Sequence, residues 1–526
     1  MFDFDLIIIG AGINGAGVAR DAAMRGLKVL LLDKGDVGSG TSSWSTRLIH
    51  GGLRYLEHGE LGLVRESLRE RETLLRIAPH LVRPLPFLLP IYKNARRGPF
   101  LLRLGMITYD LLSLGKSLPR YQMLSTQEAL ARAPGLNKES LLGAALYYDA
   151  QVQFAERLVV ENVLSAIEHG AQVLTYTRVS EFIVENDRLV GVQLDDCDGG
   201  HRNATAPVII NAAGPWVDQV LAGIDHAPRL IGGTKGSHIV VPRFAGAPST
   251  AIYIEAKIDE RPFFVIPWNG NYLIGTTDRR YEDDLDDVRI DENEVEYLLS
   301  ETNAVFPSAN LQREDILYTY AGVRTLPFTK ETDEQSITRR HFIRPHPRFN
   351  NLLSLVGGKL TTYRSLAEQT TDLVFTKIGR TSPSCQTGQV KLGGSSVTSN
   401  MESLTTRLHR IYGGRESAVM ELAGTKPELA EVFDAETGAI AAEVVYAFEQ
   451  EFAATLDDCM MRRTMVGLNS TCGINAVEKA GSIAKKHLGW SGSRATGEVE
   501  AYRKEVGRRM GKLERVNGGK GERGKG

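Results

Sequence analysis

The sequence predicts an α/β protein that opens with a Rossmann-like domain, because the parts of this fold follow one another near its start. The run Leu6 to Ile9 is continuously apolar, as expected of a parallel strand buried on both faces. A glycine-rich turn, Gly10 to Gly15, comes next and leads into apolar residues at helical spacing. A second apolar run, Val29 to Leu32, ends at Asp33. This order of strand, turn, helix, strand and acid predicts a dinucleotide-binding unit.

Each residue of the turn has a separate role in such a unit. Gly10 permits the tight turn, Gly12 lets the backbone approach a pyrophosphate, and Gly15 lets the helix pack close to the sheet. The start of the helix, which includes Asn14, presents free N–H groups to the phosphates. Asp33 is expected to accept hydrogen bonds from ribose hydroxyls. The alternative interpretation is a glycine-rich turn in some other α/β unit.

The segment after Asp33 favours FAD over NAD as the dinucleotide. It does not begin another helix–strand repeat but enters a run of small polar residues, Gly38 to Ser45, which includes Thr41, Ser42 and Ser43. Such a run can lie along an extended dinucleotide and offer it backbone and hydroxyl donors. This arrangement suits a buried FAD better than an exchangeable NAD.

Composition limits the other classes of function. The chain has 526 residues and a net charge of -2. At roughly 100–200 residues per domain we expect about two to four domains, and the charge indicates no nucleic-acid partner. The four cysteines form no CxxC pair and no cluster with metal-ligand spacing, so we expect reduced thiols and no metal. We expect no secretory signal, because no basic region followed by an apolar stretch opens the sequence. We expect no membrane span, because no stretch of about 18 uncharged apolar residues occurs.

Seven further segments, taken with the glycine turn, resemble one flavoprotein family. They are Thr41 to Ser43, His50 to Leu56, Asn211 to Trp216, Lys235 to Val240, Gly275 to Asp278, Gly322 to Arg324 and Gly357 to Arg364. In this order, and over about residues 3–380, they resemble the aerobic, quinone-linked, FAD-dependent glycerol-3-phosphate dehydrogenases. Residues 451–464 are similar to the C-terminal helical domain of that family.

The resemblance implies a Rossmann-like FAD-binding domain, a mixed-sheet substrate domain of the D-amino-acid-oxidase-like superfamily, and a C-terminal helical domain. The FAD-binding domain is then discontinuous along the chain. The expected boundaries are 1–75, 150–225 and 320–380 for the FAD-binding domain, 76–149 and 226–319 for the substrate or cap domain, 388–505 for the helical domain, and 506–526 for a basic, disordered tail.

The family implies oxidation of sn-glycerol 3-phosphate to dihydroxyacetone phosphate by hydride transfer to FAD, with the electrons passed to a quinone. It also implies a cytoplasmic protein attached peripherally to the inner face of the cell membrane, and it allows a homodimer. Two alternatives stay open. One is an oxygen-reducing FAD oxidase of glycerol 3-phosphate or another hydroxy or amino acid, and the other is a flavin-bearing binding protein without turnover.

Such a reaction needs fixed positive charge for a dianionic phosphate. Arg324 is the first candidate, because its planar fork suits a phosphate or the reacting oxygen. Arg54 and Tyr55 are the next candidates, because they follow two glycines where the backbone can pass close to the flavin ring, and Thr276 is a further hydrogen-bond donor. The resemblance implies substrate binding for Arg54, Arg324 and Lys359. The alternative for each arginine or lysine is an ordinary surface charge.

The reaction also needs a group that takes the hydroxyl proton. His238 and His50 are the candidates, because histidine accepts a proton near neutral pH. His238 lies on an expected strand of the substrate domain, and His50 lies just after the small polar run. A histidine on a strand can also be a hydrogen-bonded core residue.

The resemblance implies further cofactor-binding residues later in the chain. They are Val179, Gly214, Gly358, Leu360 and Thr361. A helix that opens at Leu360 would point its N-terminus at the N1/O2 edge of the flavin, where its dipole stabilises negative charge.

Two other segments have no role in this scheme. Pro99 to Leu118 is apolar with basic residues nearby, among them Arg96 and Arg97, and we expect either a membrane-surface helix or an ordinary core helix. The acidic run Glu282 to Asp287 is expected to be a solvated loop.

Overall fold

The computed structural model describes residues 2–56, 59–93, 98–196, 199–329, 337–393 and 407–511. Two large sheets lie in this part of the chain, together with a small antiparallel sheet and a set of C-terminal helices. None of its helices is long and apolar enough to cross a membrane.

A six-stranded sheet is built around the first strand of the chain. That strand, Leu6–Ile9, lies parallel to Val29–Leu32 on one side and to Val208–Asn211 on the other. Every residue of these three strands is buried, which explains their continuous apolar sequences. The outer strands are Gln172–Leu174, Leu352–Val356 and the antiparallel edge strand Phe342–Pro345.

Three helices pack together on this sheet. Ile13–Met24 lies between Ala155–Glu168 and Tyr363–Lys377, and its small residues allow the close approach. The sequence had predicted that the third of these helices opens at Leu360, but it begins at Tyr363. Residues 360–362 form a turn instead, closed by a 3.1 Å hydrogen bond from the Thr362 N–H to the Lys359 carbonyl.

The second large sheet is mixed and has ten strands. Its two longest strands, Val82–Tyr92 and Leu141–Val152, pair along their whole length. The other strands are Leu48–Ile49, Gln122–Leu124, Thr234–Val241, Ala251–Glu255, Pro262–Trp268, Asn271–Gly275, Arg279–Arg280 and Tyr318–Arg324. Around it are the helices Leu61–Ile77, Pro99–Leu112, Thr126–Arg132 and Glu292–Val305.

Two strands join this second sheet although the expected boundaries place them in the FAD-binding domain. Leu48–Ile49 pairs with Gln151 and Ala150, and most of Tyr318–Arg324 lies beyond the expected boundary at 320. The latter strand pairs antiparallel with Thr234–Val241. A strand has the same local pattern whichever neighbour satisfies its backbone groups, so motif spacing does not reveal its sheet.

A three-stranded antiparallel sheet and several short helices are further elements of this part of the chain. The sheet consists of Thr177–Glu185, Arg188–Asp196 and His201–Thr205. The short helices are Leu53–Leu56, Gly214–Trp216, Val217–Leu221 and Arg313–Asp315.

Buried ion pairs fix the C-terminal helices to the six-stranded sheet. Arg462 and Arg463 both bind the carboxylate of Asp36, at 2.6 and 2.8 Å, and all three side chains are buried. Arg157 binds Glu451 at 2.7 Å in the same way. The elements of this region are Arg407–Tyr412, Gly413–Arg415, Glu416–Thr425, Pro427–Ala430, Val432–Asp434, Ala439–Ile440, Ala441–Glu449, Asp458–Arg463, Val466–Leu468, Val477–His487 and Gly492–Met510.

The last helix corrects the predicted start of the tail at residue 506. It continues to Met510, because Val499, Tyr502, Val506 and Met510 form a buried stripe at helical spacing. The rest of the predicted tail, 512–526, lies outside the described residues.

Candidate active site

The glycine turn after Leu6–Ile9 is closed by contacts that only glycine permits. Gly10 has φ +105°, and a Cβ there would stand 2.6 Å from the Ala212 carbonyl oxygen. A Cβ on Gly15 would overlap the Gly10 carbonyl oxygen. The turn, the helix Ile13–Met24 and the strand Val208–Asn211 are therefore packed backbone against backbone.

Gly12 is different, because the protein leaves room beside it. The nearest atom to a Cβ at this position would be Ser42 Oγ, at 3.5 Å, which is an ordinary contact. Ser42 Oγ accepts a 3.0 Å hydrogen bond from the Ile13 N–H at the start of the helix. The space in front of Gly12 therefore belongs to the cavity and not to the protein core.

Asp33 lies at the end of the second strand, where the sequence predicts a ribose acceptor. Its Oδ2 accepts a 2.7 Å bond from the Ala11 N–H and its Oδ1 a 2.9 Å bond from the Gly35 N–H. Burial raises the pKa of Asp33 to about 6 in spite of these bonds. Each carboxylate oxygen keeps a second lone pair, so the side chain can still accept from a bound hydroxyl.

A cavity of about 1080 Å³ runs between the two large sheets, from Asp33 at one end to Arg324 and Lys359 at the other. It is large enough for an extended dinucleotide together with a small substrate. Most of the predicted cofactor residues line it. They are Gly10, Gly12, Asn14, Asp33, Thr41, Ser42, Val179, Gly214, Gly358, Leu360 and Thr361.

Two predicted cofactor residues lie outside the cavity lining. Gly15 acts through the helix packing described above. Ser43 is buried, and its hydroxyl donates a 2.7 Å bond to the Gly38 carbonyl, so it stabilises the polar loop from within. The assignment of Ser43 as a cofactor-binding residue stays a prediction. Thr41 is also bonded, to the Val323 carbonyl at 2.7 Å, but it borders the cavity.

Arg324 is held at the far end of the cavity by a network on one carboxylate. It binds Asp278 Oδ1 at 2.9 Å and donates to Thr276 Oγ1 at 2.9 Å. Arg339 binds the other oxygen, Asp278 Oδ2, at 2.8 Å, and Arg261 donates to the Asp278 carbonyl. Burial alone would raise the pKa of Asp278, but Arg324 and Arg339 hold it below its usual value.

The local charge at this end is therefore positive. Three guanidinium groups, those of Arg261, Arg324 and Arg339, contact Asp278 and line the cavity. They face two carboxylates, since Arg261 reaches Asp278 only through its main-chain carbonyl and pairs with Asp259 at 3.5 Å. Sequence reasoning found Arg324 but missed Arg261 and Arg339. No motif marks them, because they reach Asp278 from distant parts of the chain.

Lys359 approaches the same end of the cavity from the other sheet. Its Nζ donates a 3.1 Å bond to Ser67 Oγ and stands 4.0 Å from the centre of the Tyr55 ring. Burial lowers the pKa of Lys359 to about 7, although Glu66 and Glu60 oppose this shift. Lys359 and Tyr55 both line the cavity. The side chain of Arg54, the other residue predicted here, lies outside the described part of the structure.

Both candidate histidines line the cavity and are neutral near pH 7. Burial, with Arg324 and Arg47 nearby, holds the pKa of His238 well below its usual value. Its Nε2 shares a 2.9 Å hydrogen bond with Thr46 Oγ1, and its ring stacks on Tyr320 at 4.8 Å. Burial lowers the pKa of His50 to about 4. A neutral imidazole is the form that accepts a proton.

Known protein families match most of the chain. A family model described as FAD dependent oxidoreductase matches residues 5–373, and one described as the C-terminal domain of alpha-glycerophosphate oxidase matches residues 353–495. The glycerol-3-phosphate dehydrogenase of Synechocystis sp. is 44% identical over 95% of both chains. The aerobic glycerol-3-phosphate dehydrogenase of Escherichia coli is 39% identical over 88% of this chain and 94% of its own.

A solved structure agrees with these relatives. The X-ray structure of the glycerol-3-phosphate dehydrogenase from Bacillus halodurans complexed with FAD has a TM-score of 0.77 and 29% identity, over 96% of this chain and 95% of that one. The chain belongs to the family of FAD-dependent glycerol-3-phosphate dehydrogenases. Its cofactor is FAD, and the predicted fold class is confirmed.

The residues of this family member fit FAD. Asn14 Oδ1 and Trp216 Nε1 belong to residues that line the cavity, and both atoms are buried without a hydrogen-bond partner in the described structure. A polar ligand in the cavity would supply such partners. Gly12 and Asp33 would hold the phosphates and the ribose at one end, and the turn Gly358 to Thr361 borders the cavity.

Proposed function

We propose that the protein oxidises sn-glycerol 3-phosphate to dihydroxyacetone phosphate and passes the electrons to a quinone. The observation that carries the proposal is the cluster of Arg261, Arg324 and Arg339 around Asp278, at the end of the FAD cavity away from Asp33. Three guanidinium groups against the two carboxylates of Asp278 and Asp259 leave positive charge for the phosphate. The names of the relatives from Synechocystis and Escherichia coli support the same substrate.

Bound FAD supplies the redox chemistry, by accepting the hydrogen and two electrons from C2 of the substrate. The protein supplies position and charge. Arg324 and Arg339 bind the phosphate through planar donor forks, and Lys359 adds a third positive charge from the opposite sheet. His238 takes the hydroxyl proton, because it is neutral and lies beside the arginine cluster, while Thr46 fixes its ring.

The test is anaerobic spectrophotometry of the purified FAD-loaded protein with glycerol 3-phosphate. The flavin absorption band should bleach in the parent. In Arg324→Ala the band should be present but bleach at least about a hundredfold more slowly, because a charge-assisted phosphate contact is lost at a buried site. Bleaching of both proteins at equal rates would remove Arg324 from the substrate site. A band that only dithionite bleaches would overturn glycerol 3-phosphate as the substrate.

We infer that the protein works at a membrane surface, on the evidence of helix Pro99–Leu112. Leu102, Met106 and Tyr109 pack this helix against the protein. Its other face is apolar and exposed: Phe100, Leu101, Leu104, Ile107 and Leu111. Arg103 is exposed on the same helix, as suits contact with anionic headgroups. The sequence left open a core helix and a membrane-surface helix; the buried face supports the first interpretation and the exposed apolar face supports the second. Arg96 and Arg97 lie outside the described residues.

Vesicle sedimentation tests this inference. The parent should sediment with vesicles that contain an anionic phospholipid, and Phe100→Ser/Leu104→Ser should remain in solution with its flavin band intact. Ile258→Ser, at another exposed apolar residue (72% exposed), is the control and should bind as the parent does. Equal sedimentation of all three would refute the helix as the contact.

The oxidase alternative is kept by one observation, the match of residues 353–495 to the C-terminal domain of alpha-glycerophosphate oxidase. Readmission of oxygen to the substrate-reduced protein separates the two. A dehydrogenase should reoxidise slowly in air and rapidly with a soluble quinone, whereas fast reoxidation with peroxide release would identify an oxidase.

A further inference from the structure

The acidic run Glu282 to Asp287 crosses the edge of the FAD cavity. It connects the short strand Arg279–Arg280, which pairs with Lys235 and Thr234, to the helix Glu292–Val305. Both ends of the connection are anchored, since Asp291 caps that helix in a capping box. The sequence predicted a solvated loop here, and the side chains of residues 282–284 are indeed exposed.

The inner side of this segment faces the cavity. Leu285, Asp286 and Val288 line it, next to Lys34, which directly follows the ribose acceptor Asp33. Trp216 lines the same region, and Lys34 Nζ stands 4.7 Å from the centre of its ring. The segment therefore covers the end of the cavity where the dinucleotide pattern places the adenosine of FAD.

Ion pairs tether the segment to two other parts of the protein. Lys34, which follows a strand of the six-stranded sheet, binds Asp286 Oδ1 through its Nζ at 2.6 Å. Arg508, on the last helix, binds Asp287 Oδ1 at 2.7 Å and the Asp286 carbonyl at 2.9 Å. Arg508 also lines the cavity, and a second pair with Glu505 holds its guanidinium in place.

We propose that residues 282–288 form a strap over the adenosine end of the FAD site, and that Lys34 and Arg508 are positioning residues that keep the strap closed and slow the release of FAD. Leu285 and Val288 supply the apolar inner surface, and the acidic residues supply the closure. The two tethers come from separate elements, the loop after Val29–Leu32 and the last helix, so full opening must break both pairs. The inference rests on FAD as the cofactor and not on the identity of the substrate.

The closure should depend on salt. All four charged groups are partly exposed, from 27% for Arg508 to 60% for Asp286. Exposed pairs of this kind are weak singly and are screened by ions. Release of FAD should therefore become faster as ionic strength rises, in contrast to release from a site that is closed by apolar packing alone.

The experiment follows FAD release from the loaded protein after dilution, by the gain in fluorescence of free FAD. Asp286→Asn/Asp287→Asn should release FAD about three- to tenfold faster than the parent at low ionic strength, and the rates should converge at high salt. Lys34→Gln and Arg508→Gln, which remove the partner charges, should each shift the rate in the same direction. Lys34→Gln also removes the contact of its Nζ with the Trp216 ring, so the Asp286→Asn/Asp287→Asn protein is the decisive variant.

Arg229→Gln is the matched control. Arg229 pairs with Glu282 of the same acidic run at 2.8 Å, and neither residue lines the cavity. Its release rate should equal that of the parent. Hydrogen exchange of the amides of residues 282–288 in the apoprotein gives a second readout, and only the tether variants should exchange faster there.

Three results would overturn the proposal. One is an unchanged release rate in the Asp286/Asp287 variant at low ionic strength. Another is an equal acceleration in Arg229→Gln. The third is acceleration confined to variants whose apoprotein also melts at a lower temperature, because that would reflect general destabilisation.

Discussion

The guanidinium of Arg324 lies directly over Gly236. A Cβ at Gly236 would overlap Arg324 Nη2 and would stand 2.6 Å from both Arg324 Cζ and Thr276 Oγ1. Gly236 is on the strand Thr234–Val241, and Arg324 ends the neighbouring strand. The missing side chain thus lets the arginine cross the sheet face and reach Thr276.

Gly236→Ala should displace Arg324 without removing its charge. We expect the KM for glycerol 3-phosphate to rise by about tenfold or more, since even a small misplacement of a binding group is costly. The FAD content should stay at the parental level. Gly424→Ala is the control, because a Cβ there meets nothing within 4 Å. Steady-state kinetics decide, and an unchanged KM would show that the arginine position is not critical.

Arg339→Gln should weaken substrate binding although no motif predicts this residue. The change removes the partner of Asp278 Oδ2 and one of the three cationic groups. We expect kcat/KM to fall by the equivalent of about 2–3 kcal/mol of transition-state stabilisation, as for the loss of a charge-assisted contact. The neighbour Arg340 does not line the cavity, so Arg340→Gln should keep parental kinetics. Similar losses in both variants would point to a general charge effect.

Lys359 should make substrate binding depend on pH above neutrality. Its pKa is lowered to about 7, so the ammonium is present below that value and is lost as the pH rises through it. Since the positive form attracts the phosphate dianion, KM should rise with pH, by at most about tenfold per unit. In Lys359→Arg the charge persists and this rise should disappear. A rise that is the same in both proteins would exclude Lys359 as its source.

Substitutions at Gly12 and Gly15 should have different effects, the first on FAD binding and the second on the stability of the fold. Gly12→Val places its side chain in the cavity, so the protein should fold but fail to retain FAD. Gly15→Ala meets backbone, and we expect it to lower the stability of the apoprotein by about 1–3 kcal/mol or more. Absorbance at the flavin band and thermal melting of the apoproteins measure the two effects. A yellow, FAD-loaded Gly12→Val protein would refute the pyrophosphate assignment.

Asp36→Asn should destabilise the junction with the C-terminal helices. It leaves Arg463 buried without its carboxylate partner, at a cost of about 3–5 kcal/mol, whereas Arg462 keeps its pairs with Asp457 and Asp458. Burial alone would raise the pKa of Asp36, but the two arginines hold it below its usual value, so the stabilisation is present above pH about 4 and is lost as the acid protonates. Asp196→Asn, in an exposed pair with Arg202, should change denaturant unfolding by less than about 1 kcal/mol.

The sequence alone determined the parts whose causes are local. The strand, the glycine turn, the helix and Asp33 lie within one short segment, and their roles depend on backbone conformation and residue size at known offsets. The same holds for most cofactor residues, because they belong to contiguous motifs. The order of these motifs was sufficient to indicate the family and FAD.

Only the tertiary structure decided which distant residues meet. Arg261 and Arg339 converge on Asp278, and Gly236 lies beneath Arg324, because separate strands and loops fold onto one sheet face. Arg508 reaches Asp287 from 221 positions away along the chain, on a helix whose last turn had been predicted as tail. Ser43 belongs to the small polar run that predicts cofactor contacts, yet its hydroxyl donates to the Gly38 carbonyl. These outcomes depend on long-range packing and on which neighbour satisfies each polar group, and no local pattern in the sequence encodes that choice.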